Sequence, residues 1–276
     1  MELDVNHLFL WDPIFFEGTP FAINRVVLLM FLASALCLLF FFLGARRGRL
    51  VPKGIQNIAE QAYLFVRNQI AIDVIGPKDG PRFAGYLASL FYFIFFMNLL
   101  EIVPGVNFPV TSRMAIPALL ALTTYVIFNF VGIKNQGWRY FKDTLFPPGV
   151  PKPIYLILTP IELFSVFVIR PLTLAIRLLA NMMAGHVLLT IFFLFSAEFV
   201  RFDITLPLGL ATALIAAVLI VFELLVIAIQ AYIFTLLSAF YIAEALHGHG
   251  EADHEVEAAH EGPSYETEGL ATASAQ

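Results

Sequence analysis

The chain lacks most of what a soluble enzyme uses. Its 276 residues include one cysteine, Cys37, which leaves no disulfide framework, no Cys-x-x-Cys metal or redox motif and no iron–sulfur ligand set. Charged residues make up only 13% of the chain against 59% hydrophobic, with 29 Phe, so there is too little polar surface for a water-soluble domain. Gly-x-x-x-x-Gly-Lys, His-Glu-x-x-His and Gly-x-Ser-x-Gly are all absent, which removes the usual residues of nucleotide hydrolysis, zinc proteolysis and serine hydrolysis. A haem held by two intramembrane histidines is excluded as well, because His186 alone lies inside an apolar run. Residues 1–24 contain no Lys or Arg, and Glu2 and Asp4 stand where a secretory signal would be basic, so the first apolar run reads as a retained span.

What is present is apolar sequence in long runs, at about 25–44, 84–103, 113–133, 154–197 and 207–246. A helix needs roughly 20 apolar residues to cross the hydrocarbon, so the fold class is an all-α integral membrane protein with about five crossings. Residues 54–70 differ, because Ile55, Ile58, Ala62, Phe65 and Ile70 alternate at helical spacing with Gln56, Asn57, Glu60, Arg67 and Asn68. That pattern predicts an amphipathic helix on the membrane surface. Phe146–Pro153 holds four prolines around Gly149 and reads as a rigid loop leading into the fourth span.

The domain plan is therefore an extracytoplasmic segment 1–24, a membrane domain 25–246 and a disordered, acidic, His-rich cytoplasmic tail 247–276. The tail carries seven acids and no base, so the net charge of −5 becomes about +2 for the body. The tail histidines, His247, His249, His254 and His260, are too irregularly spaced to argue for a metal site. Arg46, Arg47, Arg49, Lys53, Arg67, Lys78 and Arg82 follow the first span, and Lys134, Arg139, Lys142 and Lys152 follow the third. This excess predicts that both connections are cytoplasmic, which puts the N-terminus outside and the C-terminus inside.

The last two runs are each about 40 residues, roughly 60 Å of helix against about 30 Å of hydrocarbon. They predict a long, steeply slanted hairpin, with Arg170-Pro171 a site for a bend. Six ionisable residues lie in it: Glu162, Arg170, Arg177, His186, Glu223 and Glu244. Glu162, Arg170 and Glu244 lie towards the cytoplasmic ends, where a snorkelling charge explains them as well as a function does. Arg177, His186 and Glu223 are deeper, and a charge there needs a partner, water or a purpose. A turn centred near residue 204 sets Arg177 level with Gln230 and His186 level with Glu223. Nine residues at 100° each turn Arg177 and His186 to opposite sides of the helix, about 13 Å apart along it.

A guanidinium stays protonated, so Arg177 suits a fixed cation and not a proton carrier. His186 and Glu223 can both exchange protons and suit a relay, although a structural ion pair would also explain them. Asn181, one turn beyond Arg177, and Gln230 can orient the guanidinium or bind helix to helix. Asn98 and Glu101, at the outer end of the second span, read equally as lining of an aqueous access or as an interfacial cap.

The run Arg170-Pro-Leu-Thr-Leu-Ala-Ile-Arg177-Leu-Leu-Ala-Asn181-Met-Met-Ala-Gly-His186, with Gln230-Ala-Tyr-Ile-Phe and Met97-Asn98-Leu-Leu-Glu101-Ile-Val-Pro104, closely resembles subunit a of the F-type ATP synthases, in its bacterial form. The likeness extends to the five spans and the surface helix, and so to nearly the whole chain except the tail. It implies a non-catalytic, proton-translocating stator in the bacterial plasma membrane, with no cofactor and no nucleotide site, beside an oligomeric ring of c subunits. The b-type peripheral stalk and other synthase subunits are the further partners it implies, and nucleic acid is not among them.

By the same likeness Arg177 is the arginine separating two offset half-channels. Asn181 and Gln230 stand beside it, and His186 with Glu223 forms the outer pair, with histidine and carboxylate exchanged relative to some members. Asn98, Glu101, Glu162 and Arg170 are candidate half-channel lining. Glu162 and Arg170 are eight residues apart where several members have seven. A self-contained ion channel or secondary transporter is the competing class, against which no internal repeat or broken span is evident. An intramembrane enzyme would need a nucleophile and base on facing spans, and none is evident.

Overall fold

The computed structural model describes residues 24–46, 48, 52–103, 106, 108–146, 154–199 and 206–247. The expected extracytoplasmic segment, the rest of the acidic tail, most of the proline loop and the turn near residue 204 lie outside the described residues. Among these residues the structure is helical with no strand, and five helices are long and apolar enough to cross a membrane.

Helix α1 (Arg25–Ala45) starts where the Asn24 side chain accepts from the Val27 amide at 3.1 Å, satisfying a donor that the first turn leaves unpaired. Its buried residues Val26, Leu29, Ala33, Cys37 and Gly44 follow helical spacing, while Phe31, Leu38 and Phe42 face outward, as a span on the rim of a bundle requires. The surface element runs further than its sequence pattern: α2 (Ile55–Val66), a π turn (Arg67–Ile72) and α3 (Asp73–Ile75) continue one another. A Cβ on Gly44 would collide with Cβ of Ala59, so small residues let α1 and α2 touch.

Helix α4 (Gly80–Leu99) is the most enclosed span, with Leu87, Ile94 and Met97 fully buried. Pro81 suits its first turn, where no intrahelical donor is needed. It ends at Leu99, so Glu101 lies in the following turn and not in the helix proper. A short 3₁₀ turn (Val110–Ser112) leads to α5 (Ala115–Gln136), which stops at Gly137 with φ of 60°, and α6 (Trp138–Leu145) folds back so that the Tyr140 ring covers Gly132.

The hairpin is formed by α7 (Tyr155–Phe164), a second π turn (Ser165–Ile169) and α8 (Arg170–Phe199), together 45 residues, against α9 (Leu206–His247), 42 residues. Both are about twice the hydrocarbon thickness in length, so they can lie within it only if strongly slanted. The expected irregularity at Arg170-Pro171 takes the form of the π turn. Pro171 has no amide to offer the Phe167 carbonyl, and the amide of Arg170 bonds instead to the Ser165 carbonyl five residues back.

Lipid is as apolar as a leucine side chain, so close packing and buried hydrogen bonds hold such a bundle together. Ala216, Ala231, Ala239, Ala243 and Ala245 are buried along α9. A chain of hydroxyls ties three helices, with Tyr86 Oη 3.0 Å from Thr124 Oγ1 and Thr124 Oγ1 3.3 Å from Ser238 Oγ. At one end of the bundle Gln136 donates to the Ala245 carbonyl at 3.1 Å and the His247 ring lies 3.4 Å from the Ile75 carbonyl. At the other, Arg25 donates to the Val106 carbonyl at 2.8 Å, beside the 3₁₀ turn.

Candidate functional site

Along α8, Leu174, Ala175, Leu178, Met182, His186 and Leu189 are buried, and Leu172, Thr173, Ile176, Arg177, Ala180, Asn181, Ala184 and Leu188 are exposed. Each set recurs every three or four residues, the period of a helix with two unlike faces. Arg177 and His186 therefore do lie on opposite sides. Around Arg177 the exposed face carries the small residues Thr173, Ala180 and Ala184 beside the larger Leu172 and Ile176, and the guanidinium stands exposed on it. Helical side chains lean toward the N-terminus, and Arg177 comes within electrostatic reach of the Tyr241 hydroxyl on α9.

One turn beyond Arg177, the Asn181 amide donates to Gln230 Oε1 at 2.7 Å, joining α8 to α9. Gln230 is 1% exposed, and its own amide nitrogen has no hydrogen-bond partner among the described residues. The sequence set Gln230 level with Arg177; its bond is to Asn181, the next residue up the same face.

The buried side of α8 faces a second group. His186 Nδ1 lies 3.4 Å from Glu101 Oε1, an ion pair when the imidazole is protonated, and the Phe108 ring stands edge-on to the imidazole with centroids 6.0 Å apart. Glu223 is 4% exposed, and its carboxylate rests on Gly185, where a Cβ would collide with both oxygens. Glu101 and Glu223 are close enough to feel each other's charge. Glu101, in the turn after α4, thus stands against His186 and within charge range of Glu223, the two residues that the sequence set level with each other.

Asn98 joins the same region through a 2.5 Å bond from Thr111 Oγ1 to its Oδ1. That bond uses the acceptor and turns the amide nitrogen away, and Asn98 Nδ2, Ser112 Oγ and Glu223 Oε1 are buried with no hydrogen-bond partner among the described residues. A buried donor or acceptor left unpaired costs about 1–3 kcal/mol, so a cluster of them is a place for water.

At the opposite end of the hairpin the Arg170 fork meets the Glu244 carboxylate, with Nη2 2.9 Å from Oε1 and Nη1 against Oε2. The guanidinium also lies 5.3 Å from the centre of the Tyr241 ring. Glu162, half-buried on α7, is within electrostatic reach of Arg170. Tyr140 on α6 is pushed up to about 12 by burial and then by the Glu244 charge, so it remains a neutral hydroxyl.

The structure thus brings Asn181 to Gln230, Glu101 to His186 and within charge range of Glu223, Asn98 to Thr111, and Arg170 to Glu244. The sequence reading missed Thr111, Ser112 and Gly185, and it noted Glu244 without giving it a partner. Thr111-Ser112 carried a signal as consecutive hydroxyls between two spans, and Gly185 one as a glycine beside an intramembrane histidine.

A sequence profile of the ATP synthase A chain family matches residues 27–243. ATP synthase subunit a of Frankia alni is 45% identical over 248 residues, covering 89% of this chain and 84% of the relative. That of Rhodococcus erythropolis is 42% identical over 83% of this chain and 84% of its own length, and that of Streptomyces lividans 36% identical over 88% and 87%. With a family profile across most of its length and relatives matched nearly end to end, this multi-pass membrane protein belongs to the ATP synthase subunit a family.

Proposed function

We infer that the chain is the non-catalytic, proton-translocating stator subunit of a bacterial rotary ATP synthase, set with the slanted hairpin against a ring of c subunits. The observation that carries this reading is Arg177, exposed on one face of α8 while the titratable group of His186, Glu101 and Glu223 is buried on the opposite side, further along the helix. A partner can approach that face closely and present a carboxylate to the guanidinium.

Beside a fixed cation that carboxylate stays ionised. Away from it the carboxyl takes a proton and can face lipid as a neutral group. Arg177 holds its own proton and repels others, so it blocks a direct leak between the two sides. The outer half-channel is formed by Asn98, Glu101, His186 and Glu223, and the buried Asn98 Nδ2 and Glu223 Oε1, unpaired among the described residues, suit water there. His186 and the carboxylates pass protons along it. Asn181 and Gln230 hold the two helices in register beside Arg177. The cytoplasmic half-channel opens near Glu162.

The membrane domain covers residues 25–246, and the orientation is N-terminus outside and C-terminus in the cytoplasm. Lys78, Lys134 and Arg139 lie near the bundle end where Gln136 meets Ala245 and His247 meets Ile75, which supports the charge rule. Besides the ring, a b-type peripheral stalk is the expected partner. The test is Arg177→Ala in the assembled complex, with ATP-driven proton pumping as the readout. Pumping is expected to disappear while assembly persists, and normal pumping would refute the reading.

A further inference from the structure

Arg170 and Arg177 are seven residues apart, two turns of helix and 700° of rotation, so they point within about 20° of each other and sit about 10.5 Å apart along the axis. The face proposed to meet the ring therefore carries two guanidinium groups in sequence. One is exposed, and the other is gripped from both sides by α9. Glu244 takes the Arg170 fork in two parallel bonds, and the Tyr241 ring lies against the guanidinium at 5.3 Å. Tyr241 in turn packs on Phe128 of α5, with ring centres 5.7 Å apart. The side chains of Arg170 and Glu244 are only 19% and 14% exposed, so water does little to screen them.

We propose that Glu244 is a positioning residue for proton translocation, which neutralises Arg170 so that a passing ring carboxylate meets one free cation on α8 and not two. This rests on the reading of Arg177 given above. Among the described residues, the other charged or titratable groups around Arg170 are Glu162 on α7, Tyr140 on α6, and Tyr241 and Arg177 on the hairpin. Glu162 makes no fork with Arg170, Tyr140 and Tyr241 are hydroxyls, and Glu244 supplies the compensating charge at contact. An uncompensated Arg170 would extend the zone in which the ring carboxylate is held ionised toward the cytoplasmic side. There a carboxylate driven by ATP hydrolysis must take up its proton. At an effective dielectric of about 20, a cation about 10 Å away biases that equilibrium by more than about tenfold, or roughly one pH unit.

The test uses the whole ATP synthase in sealed vesicles, with Glu244→Gln, Glu244→Asp and the double variant Arg170→Gln/Glu244→Gln. Assembly is followed by retention of subunit a with the ring, and ATP-driven proton pumping is measured from pH 6 to 9. Glu244→Gln is expected to slow pumping about tenfold at neutral pH and to shift the pH profile about one unit to the acid side. Glu244→Asp and the double variant should stay within about twofold of the parent with its profile. A staple without an electrostatic role would lower the rate at every pH and would not be rescued by removing both charges. The proposal is overturned if the double variant is as slow as Glu244→Gln, or if Glu244→Gln pumps normally. Should Glu244→Gln fail to assemble, the double variant decides: near-parental pumping supports the proposal and a tenfold loss overturns it. Arg177→Ala in the same vesicles reports the underlying reading separately, so the two can fail independently.

Discussion

Gly185→Ala perturbs the outer group without changing any charge or hydrogen-bonding side chain. Its added Cβ would fall inside the van der Waals envelope of both Glu223 carboxylate oxygens. Ordinary contact with a methyl carbon needs about 3.5 Å, so the carboxylate must move by about 1 Å or the two helices must part. Overpacking of this kind costs typically about 1–3 kcal/mol, which a bundle of this size can absorb. The larger effect is on function, because a proton relay depends on distances that a shift of 1 Å breaks. ATP-driven pumping should fall about tenfold or more with the complex still assembled. Glu223→Asp withdraws the carboxylate by one methylene, about 1.5 Å. Alone it should be impaired, since the carboxylate then falls short of its place. Combined with Gly185→Ala it should pump better than either single variant. Parental pumping by Gly185→Ala, or a double variant no better than the worse single one, would refute the argument that Gly185 makes room for Glu223.

Two further predictions concern hydrogen bonds. Thr111→Val keeps the shape of the 3₁₀ turn but frees Asn98 Oδ1, so the amide loses its orientation and proton flux should slow severalfold, while Thr111→Ser should not; passive proton permeability of vesicles holding the membrane sector measures it. Asn181→Leu and Gln230→Leu should each impair pumping, and a double-mutant cycle should show a coupling of about 1 kcal/mol, since either single variant leaves the same 2.7 Å bond unmade.

The five spans and the long hairpin were legible because a crossing imposes a length that composition alone reveals, as in the 42 residues of α9. The opposite facing of Arg177 and His186 followed from 100° per residue, whereas level pairing across the hairpin set Gln230 against Arg177 and missed by one turn its bond to Asn181. What could not be read depended on irregular backbone. Glu101 reaches His186 because α4 stops at Leu99 and the chain turns inward, a path no periodicity reports. Thr111 finds Asn98 through a turn of three residues. The Arg170–Glu244 clamp lies just beyond a π turn, whose extra residue resets the facing of everything before it relative to α8. The same insertion alters the facing of Glu162 relative to Arg170, for which straight helical counting has no allowance. The helical path through Ile75 also outran its amphipathic pattern, because Ile70, Ala71 and Ile75 turn inward beneath α4 and no longer alternate with polar residues.

Arg177 is the residue on which the account stands, and its claim is that a fixed, exposed cation separates two proton paths. ATP-driven quenching of quinacrine fluorescence in vesicles carrying the assembled enzyme measures this directly. Arg177→Ala should abolish quenching, and Arg177→Lys should restore little of it, because an ammonium lacks the planar fork and can surrender its proton. Normal quenching with Arg177→Ala in a fully assembled complex would contradict the account.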